Sequence, residues 1–309
     1  MDERQPREQP LSDLVIDVHQ HLWPEAFVEE LRRRTRVPYL RGWDLATAGE
    51  PLFRVASSDH DIAVRRRLLD KDGVDVAVLS LSSPLGIEYL EPDDAYPLLD
   101  AWHAGVRDQF GRFAGWASAP VVGYDLADVR RLLASGFVGL QLPACAVGDP
   151  RSLECRAELL ALCEEVGKPV LVHPGPIAAG SRLPAWWAPA VSYVGQLNAA
   201  WWSWQEVGRS LFPDLRICFA AGAGLAPIQH ERVQARGGPS RAVDTGVFVE
   251  VSSYGPRAID ALARVVGMDV LVFGSDRPYA SPPQHTLGAA ADRALTVRNP
   301  RRLLEGDVP

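Results

Sequence analysis

The sequence has few lysines and cysteines and no long apolar run. Lys71 and Lys168 are the only lysines among 32 basic residues, and the arginines are scattered along the chain. This distribution lacks the basic stripe that is typical of nucleic-acid-binding proteins. No segment approaches the roughly 18 consecutive apolar residues that a membrane span requires. We therefore expect neither nucleic acid nor a membrane as a partner.

The four cysteines, Cys145, Cys155, Cys163 and Cys218, have no CxxC spacing. Such isolated cysteines indicate reduced thiols in a cytosolic protein rather than a disulfide framework. Residues 1–13 are polar and lack the apolar stretch of a signal peptide. We expect residues 1–13 to form a disordered leader, and the protein to be cytoplasmic.

Short β-branched runs alternate with amphipathic segments along the chain, which is typical of βα units and a mostly parallel sheet. The amphipathic segments include 126–136, 152–167 and 257–267, each ending at a glycine suited to a helix C-cap. Eight strands are predicted, at 14–19, 74–80, 112–120, 137–143, 169–175, 216–222, 247–253 and 269–276.

Eight βα units in an uninterrupted chain predict an α/β fold, a single-domain (β/α)8 TIM barrel over residues 14–309. A doubly wound sheet is the alternative. No predicted strand is followed by GxGxxG, and "AGAG" at 221–224 lacks the third glycine. The segment 20–70 is long for a βα connection, and in a barrel such loops shape the pocket.

The first predicted strand ends in "DVHQHLWP". Residues two apart in a strand face the same side, so His19 and His21 point the same way. Two neutral imidazoles at a strand end form half of a divalent-metal site. The alternative is an ordinary pair of surface histidines.

His173 and Asp276 end two further apolar strands. Taken singly, the histidine could be structural and the aspartate could be a helix N-cap. Taken together, three of the seven histidines and one carboxylate lie at strand ends that meet at one rim of a barrel. This donor set predicts one divalent metal, Zn²⁺ with Mn²⁺ or Fe²⁺ as alternatives.

The sequence resembles the amidohydrolase-related (amidohydrolase 2) branch of the amidohydrolase superfamily, which includes aminocarboxymuconate-semialdehyde decarboxylase and related decarboxylases and hydrolases. The resemblance covers almost the whole chain and is carried by segments such as "IDVHQHLWPEAF", "CEEVGKPVLVHPG", "FPDLRICFAAGAGLAP" and "VFGSDRPY". It implies a (β/α)8 barrel in which His19, His21, His173 and Asp276 hold one metal. Other branches bridge two metals with a carboxylated lysine on the fourth strand, where this sequence has Gln141.

The sixth strand departs from the family pattern. The family has a histidine there that activates the metal-bound water or polarises the substrate, whereas "CFAAGAGLAP" places Ala221 at that position. A general acid–base contributes about 10² to 10⁴ in rate, so chemistry survives if another group replaces it. His285 and Tyr279, which follow Asp276, are the catalytic candidates, and Glu250 on the seventh strand is a further one.

Three residues are predicted to bind substrate. Trp23 follows the first two histidines and Trp186 lies after His173, so aromatic walls near the metal suit a flat, apolar compound. The family resemblance implies that Arg232 anchors a substrate carboxylate and that such an arginine sometimes reaches into a neighbouring subunit. A homodimer is a further expectation. A solvated helix arginine is the alternative.

These features predict a metal-dependent enzyme acting on a small cyclic or aromatic acid. The main prediction is hydrolysis of an amide, lactone or ester by a metal-activated water, with Asp276 accepting the proton. One alternative is non-oxidative decarboxylation of an aromatic or unsaturated carboxylate. Because of Ala221, the other alternative is a non-catalytic metal-binding barrel.

Overall fold

A computed structural model describes residues 14–177, 183–239, 244–282 and 287–306. The predicted leader, residues 1–13, and the catalytic candidate His285 lie outside the described residues.

Eight parallel strands form one sheet in which every strand is hydrogen-bonded to the next strand along the chain. They are β1 (Ile16–His21), β2 (Val76–Ser80), β3 (Phe113–Ser118), β4 (Gly139–Pro143), β5 (Val170–His173), β6 (Ile217–Phe219), β7 (Val247–Glu250) and β8 (Leu271–Val272). The residues after β8 close the circle, since Val18 N–H donates to Phe273 O at 3.0 Å and Asp276 N–H to His19 O at 2.9 Å. The predicted (β/α)8 barrel is confirmed.

The α-helices are α1 (Glu25–Arg33), α2 (Ile62–Asp72), α3 (Pro92–Arg107), α4 (Leu126–Ala134), α5 (Pro150–Glu154), α6 (Ala157–Glu165), α7 (Tyr193–Ser203), α8 (Arg209–Leu211), α9 (His230–Gln234), α10 (Pro256–Val266), α11 (Ala289–Arg293) and α12 (Asn299–Glu305). Short 3₁₀ segments span Ser57–His60, Ser83–Leu85, Ile87–Tyr89, Ala144–Val147, Ala221–Gln229 and Met268–Val270, and π-helical turns span Ala188–Ser192, Trp204–Gly208 and Ala294–Arg298.

Local sequence explains how several helices begin and end. In α2, the Asp61 carboxylate accepts from Val64 N–H at 2.9 Å, and Gly73 ends the helix in the left-handed conformation at φ 66°. The helix predicted over 152–167 is instead two helices, α5 and α6. Among the described residues, no helix has both the length and the apolar character that crossing a membrane requires.

The middle of the barrel interior is apolar, and its end at the carboxyl termini of the strands is polar. Val78, Trp116, Leu171 and Phe248 belong to the buried inner cluster. Because side chains two apart in a strand face the same side, the next inward positions are the ends of the same strands. These positions carry the buried polar residues Ser80, Ser118, His173 and Glu250. The chemistry therefore lies at the carboxyl ends of the strands, as in other barrels of this architecture.

The long connection after β1 carries α1, α2 and a small antiparallel sheet of Tyr39–Arg41, Asp44–Ala46 and Phe53–Arg54. Between the second and third strands of this small sheet, the connection contacts the residues that follow β5. A Cβ built on Gly49 would lie 2.0 Å from Ile177 O, so only glycine allows this approach. The connection thus lies over the carboxyl end of the barrel.

Candidate metal centre

Four predicted ligands converge at the carboxyl end of the barrel. His19 and His21 come from β1, His173 ends β5, and Asp276 follows β8. One ligand atom from each residue lies within 4.8 Å of the others, and the three imidazoles are buried. The structure therefore brings together all four residues that the sequence predicts as metal ligands.

The imidazoles of His21 and His173 are oriented by backbone carbonyls. His21 Nδ1 lies 2.9 Å from Ser80 O, and His173 Nδ1 lies 2.8 Å from Pro174 O. A carbonyl oxygen only accepts hydrogen bonds, so each Nδ1 carries the proton. Each Nε2 lone pair is then free for a metal, which is the usual arrangement of metal-binding histidines.

His19 is oriented by a carboxylate instead. Its Nδ1 lies 3.1 Å from Glu250 Oε2, and the Glu250 side chain is fully buried at the end of β7. Gly274 makes room for this carboxylate, since a Cβ there would lie 2.4 Å from Glu250 Oε1. Through this hydrogen bond, Glu250 fixes the orientation of the His19 ring and makes His19 a more basic ligand.

The spacing of the donor atoms fits one metal ion. His19 Nε2 and His21 Nε2 are 3.1 Å apart, and Asp276 Oδ1 lies 3.3 Å from His21 Nε2. Bonds of about 2.1 Å separate two ligand nitrogens by about 3.0 Å at a right angle and about 3.4 Å at the tetrahedral angle. Two imidazole nitrogens at such a distance share either a proton or a metal ion. These residues therefore form a divalent-metal site.

The site contains one group of ligands. Among the described residues, no second cluster of potential metal ligands is found. Gln141, at the position of the bridging lysine of other branches, is buried and donates to Leu81 O at 2.8 Å and Ser83 Oγ at 2.7 Å. An amide engaged in this way does not bridge metals, so the site is mononuclear.

Burial and neighbouring groups together shift the pKa values of the four ligands. Burial, together with the neighbouring His19, lowers the pKa of His21 and of His173 well below the usual value, which keeps both neutral. Burial also acts to lower the pKa of His19, but the hydrogen bond and charge of Glu250 outweigh it and raise the pKa to about 9. Burial raises the pKa of the Asp276 carboxyl.

Asp276 adopts a backbone conformation that is unusual for aspartate. Its φ is +56°, and its N–H is bound to His19 O, so the first strand and the last loop are joined at the ligands themselves. Asn and Asp tolerate this left-handed conformation better than most residues. Asp276 is 24 % exposed, whereas the three imidazoles are buried, so it faces the open side of the site.

A chain of hydrogen bonds runs beside the ligands. Tyr279 Oη lies 3.3 Å from Ser82 Oγ, which also accepts from Trp23 Nε1 at 3.0 Å. Tyr279 is 49 % exposed, and its ring lies 5.2 Å from that of His21. Trp23 is only 2 % exposed and stacks on His60. Trp23 therefore supports Ser82 from behind, rather than forming an exposed wall.

The turn after β6 follows a left-handed path. Ala221, Ala223 and Leu225 have φ of 44°, 52° and 57°, and the two glycines between them are also left-handed. Each non-glycine residue in this conformation costs about 1–2 kcal/mol. Ala221 N–H donates to Glu250 Oε2 at 3.0 Å, so the turn still contacts the site through its backbone.

The other predicted residues lie further out. Trp186 is 59 % exposed and contacts Trp187, and Arg232 is exposed on α9. Among the described contacts, none joins either residue to the four ligands. Sequence reasoning missed Ser82 and the orienting carbonyls. Backbone acceptors have no motif, and serine after a strand is too common to be a signal.

A profile of the amidohydrolase family (Amidohydro_2) matches residues 16–305. A curated relative from Dictyostelium discoideum, 2-amino-3-carboxymuconate-6-semialdehyde decarboxylase, is 25 % identical over 298 residues, covering 86 % of this chain and 82 % of that protein. Metarhizium anisopliae IDCase in its apo form has a TM-score of 0.76 at 19 % identity, covering 94 % of this chain and 97 % of its own.

A further solved structure is that of 5-carboxyvanillate decarboxylase from Novosphingobium aromaticivorans, complexed with manganese and 4-hydroxy-3-methoxy-5-nitrobenzoic acid. Its TM-score is 0.69 at 17 % identity, covering 96 % of this chain and 97 % of that one. The family resemblance is confirmed. The prediction of hydrolysis as the main activity is wrong, because the curated relative and the manganese-bound neighbour are decarboxylases rather than hydrolases.

Proposed function

Because this chain belongs to the amidohydrolase family and is an enzyme of that superfamily, we propose that it non-oxidatively decarboxylates a small aromatic or unsaturated carboxylic acid. The observation that carries the proposal is the convergence of three oriented imidazoles and Asp276 on one centre. The decarboxylase relative supports this reaction.

The metal would be held by His19, His21, His173 and Asp276. When bound, a divalent ion supplies positive charge that attracts and polarises the oxygen atoms of the substrate. Nitrogen and carboxylate donors suit Zn²⁺ and also Mn²⁺. We infer one of these two ions, and the manganese in 5-carboxyvanillate decarboxylase supports the second.

In the reaction, the bond between the carboxylate and its carbon breaks, CO₂ leaves, and the electron pair remaining on carbon takes a proton. We assign this proton transfer to the carboxyl of Asp276, which is 24 % exposed and takes from solvent the proton that it passes to the carbon. Its Oδ1 lies 3.3 Å from His21 Nε2. The hydrogen bond between Tyr279 Oη and Ser82 Oγ, 3.3 Å, supports a role for Tyr279 beside Asp276.

Further predicted roles remain part of the proposal. His285, which follows Tyr279 in the sequence, and Tyr279 itself are further candidates for proton transfer. Trp186 is an aromatic wall for a flat substrate, and Arg232 anchors its carboxylate across a homodimer. A cytoplasmic location remains a prediction from the sequence.

The test uses protein loaded with Mn²⁺ or Zn²⁺ and a panel of hydroxy- and aminobenzoates. We expect CO₂ release and, in D₂O, one deuterium at the vacated carbon of the product, measured by NMR. At saturating metal, Asp276→Asn should lower the rate about 10² to 10⁴-fold.

Asp269→Asn is the matched control. Asp269 lies just before β8, the strand that Asp276 follows, and it is 68 % exposed in an ion pair with Arg298. Its rate should equal that of the unaltered protein. A metal-saturated protein that releases no CO₂ from any acid of the panel would contradict the proposal. So would full activity in Asp276→Asn.

A further inference from the structure

Three segments meet beside the metal centre. The connection after β1 touches the residues after β5 at Gly49 and Ile177. Those residues are in turn bound to α7, because Gln196 Oε1 accepts from Gly175 N–H at 2.7 Å and Gln196 Nε2 donates to Pro176 O at 3.0 Å. His173 immediately precedes this loop, so the three segments form one wall of the site.

Glu50 and Tyr193 join two of these segments. The Tyr193 hydroxyl donates a short hydrogen bond to Glu50 Oε1, and both side chains are half-buried. The next residue, Val194, packs against the turn after β6, where a Cβ on Gly224 would lie 2.3 Å from Val194 O. Tyr193 therefore begins its helix beside the turn that lacks the family histidine.

The Glu50 carboxylate lies within electrostatic reach of the site. Burial raises the pKa of Tyr193, and the charge of Glu50 adds to this, followed by smaller effects of Tyr279 and Asp276. Glu50 also contributes to the raised pKa of Tyr279, after burial and Asp276. The geometry that places Glu50 at this wall is its hydrogen bond with Tyr193 and the contact of Gly49 with Ile177.

Glu50 has no cationic partner in the part of the chain that the structure describes. Arg54, on the same connection, pairs instead with Asp44 at 2.9 Å and is 72 % exposed. The hydroxyl of Tyr193 is an uncharged partner, so it brings no positive charge to this carboxylate.

We propose that Glu50, held by Tyr193, is a recognition subsite that binds a hydroxyl or amino group of the substrate and rejects a second carboxylate. The inference rests on the proposed function only in that the ligand is an acid bound at the same metal centre. A carboxylate accepts hydrogen bonds and donates none, so its matching ligand group is a donor. A hydrogen bond to a charged acceptor changes affinity by about 10- to 100-fold.

The experiment measures binding, by calorimetry, to the Mn²⁺-loaded protein. The probes are benzoate, its 3- and 4-hydroxy and 3- and 4-amino derivatives, and benzene-1,3- and 1,4-dicarboxylate. At least one hydroxy or amino derivative should bind about tenfold more tightly than benzoate, and both dicarboxylates more weakly.

Two variants separate the attraction from the repulsion. Glu50→Ala should remove the preference for the donor group. Glu50→Gln keeps an acceptor for Tyr193 but loses the charge, so it should weaken the rejection of the dicarboxylates about tenfold or more. Glu154→Gln, an exposed glutamate at the end of α5, is the matched control and should change neither preference.

The assignment is wrong if the unaltered protein binds a dicarboxylate as tightly as the hydroxybenzoates, or binds none of the probes. It is also wrong if Glu50→Ala keeps the donor preference. Binding preferences that follow the prediction without CO₂ release would refute the proposed decarboxylation but not the subsite. CO₂ release with unchanged preferences in both variants would refute the subsite alone.

Discussion

Replacing Glu250 with glutamine should weaken metal binding through His19. Glu250 Oε2 accepts from His19 Nδ1 at 3.1 Å, Ala221 N–H at 3.0 Å and Ser252 Oγ at 2.9 Å, while Oε1 accepts from Ser252 N–H. A glutamine has one acceptor oxygen in place of two. Its better orientation keeps the oxygen at the Oε2 position and turns the amide NH₂ towards Ser252 N–H.

Two costs follow from this geometry. The amide NH₂ of the glutamine and the N–H of Ser252 are both donors, so the buried N–H of Ser252 is left without an acceptor. This lowers the free energy of unfolding by about 1–3 kcal/mol. The hydrogen bond from His19 also loses its charged acceptor, and such bonds are worth about 1.5–3 kcal/mol. Metal affinity should therefore fall about 10- to 100-fold, as is typical when the partner of a ligating histidine is changed.

Competition with a chromophoric chelator measures the metal affinity, and urea unfolding of the metal-free protein measures the stability separately. Glu88→Gln is the matched control. Glu88 is also a fully buried glutamate, but its Oε1 accepts from Ser83 and Ser118 rather than from a ligand. A metal affinity of Glu250→Gln within twofold of the unaltered protein would refute this role of Glu250.

Three further predictions concern stability. Burial raises the pKa of Glu88 above 4.5, so the folded protein keeps a proton that the unfolded chain has lost. Stability then falls as the pH rises from about 4.5 towards the folded pKa, and Glu88→Gln should gain up to about 1.4 kcal/mol per pH unit over the unaltered protein in urea unfolding. A difference that does not change with pH would contradict this. Ala221→Gly should raise the free energy of unfolding by about 0.5–1 kcal/mol by relieving the left-handed φ of 44°, and a loss of stability would contradict the assigned strain. Metal at 100 times its Kd should stabilise the protein by about 2.7 kcal/mol in thermal unfolding. His173→Ala should lose most of this gain and His230→Ala, on α9, none of it; equal gains in both variants would count against the ligand set.

The metal ligands could be predicted because their signals are local. Each of the three histidines and Asp276 stands at or just after the end of an apolar strand, and the carboxyl ends of parallel strands meet at one rim. Because side chains two apart in a strand face the same side, Ser118 and Glu250 point into the barrel, next to the apolar inner residues Trp116 and Phe248. The hydrolytic activity was predicted wrongly, since a set of metal ligands does not specify which bond of the substrate breaks.

The sequence by itself determined the barrel and the four ligands, because each βα unit and each ligand is signalled by residue type and spacing at its own strand. The missing histidine at Ala221 followed from the family resemblance. Only the tertiary structure decided which atoms orient the ligands and what surrounds them. His19 and Glu250 are 231 residues apart, and Glu50 and Tyr193 are 143 apart. Such pairs meet only when the barrel closes, and two of the three acceptors that orient the imidazoles are backbone carbonyls, which every residue carries. Hydrogen-bond geometry between distant segments therefore has no counterpart in the local pattern of the sequence.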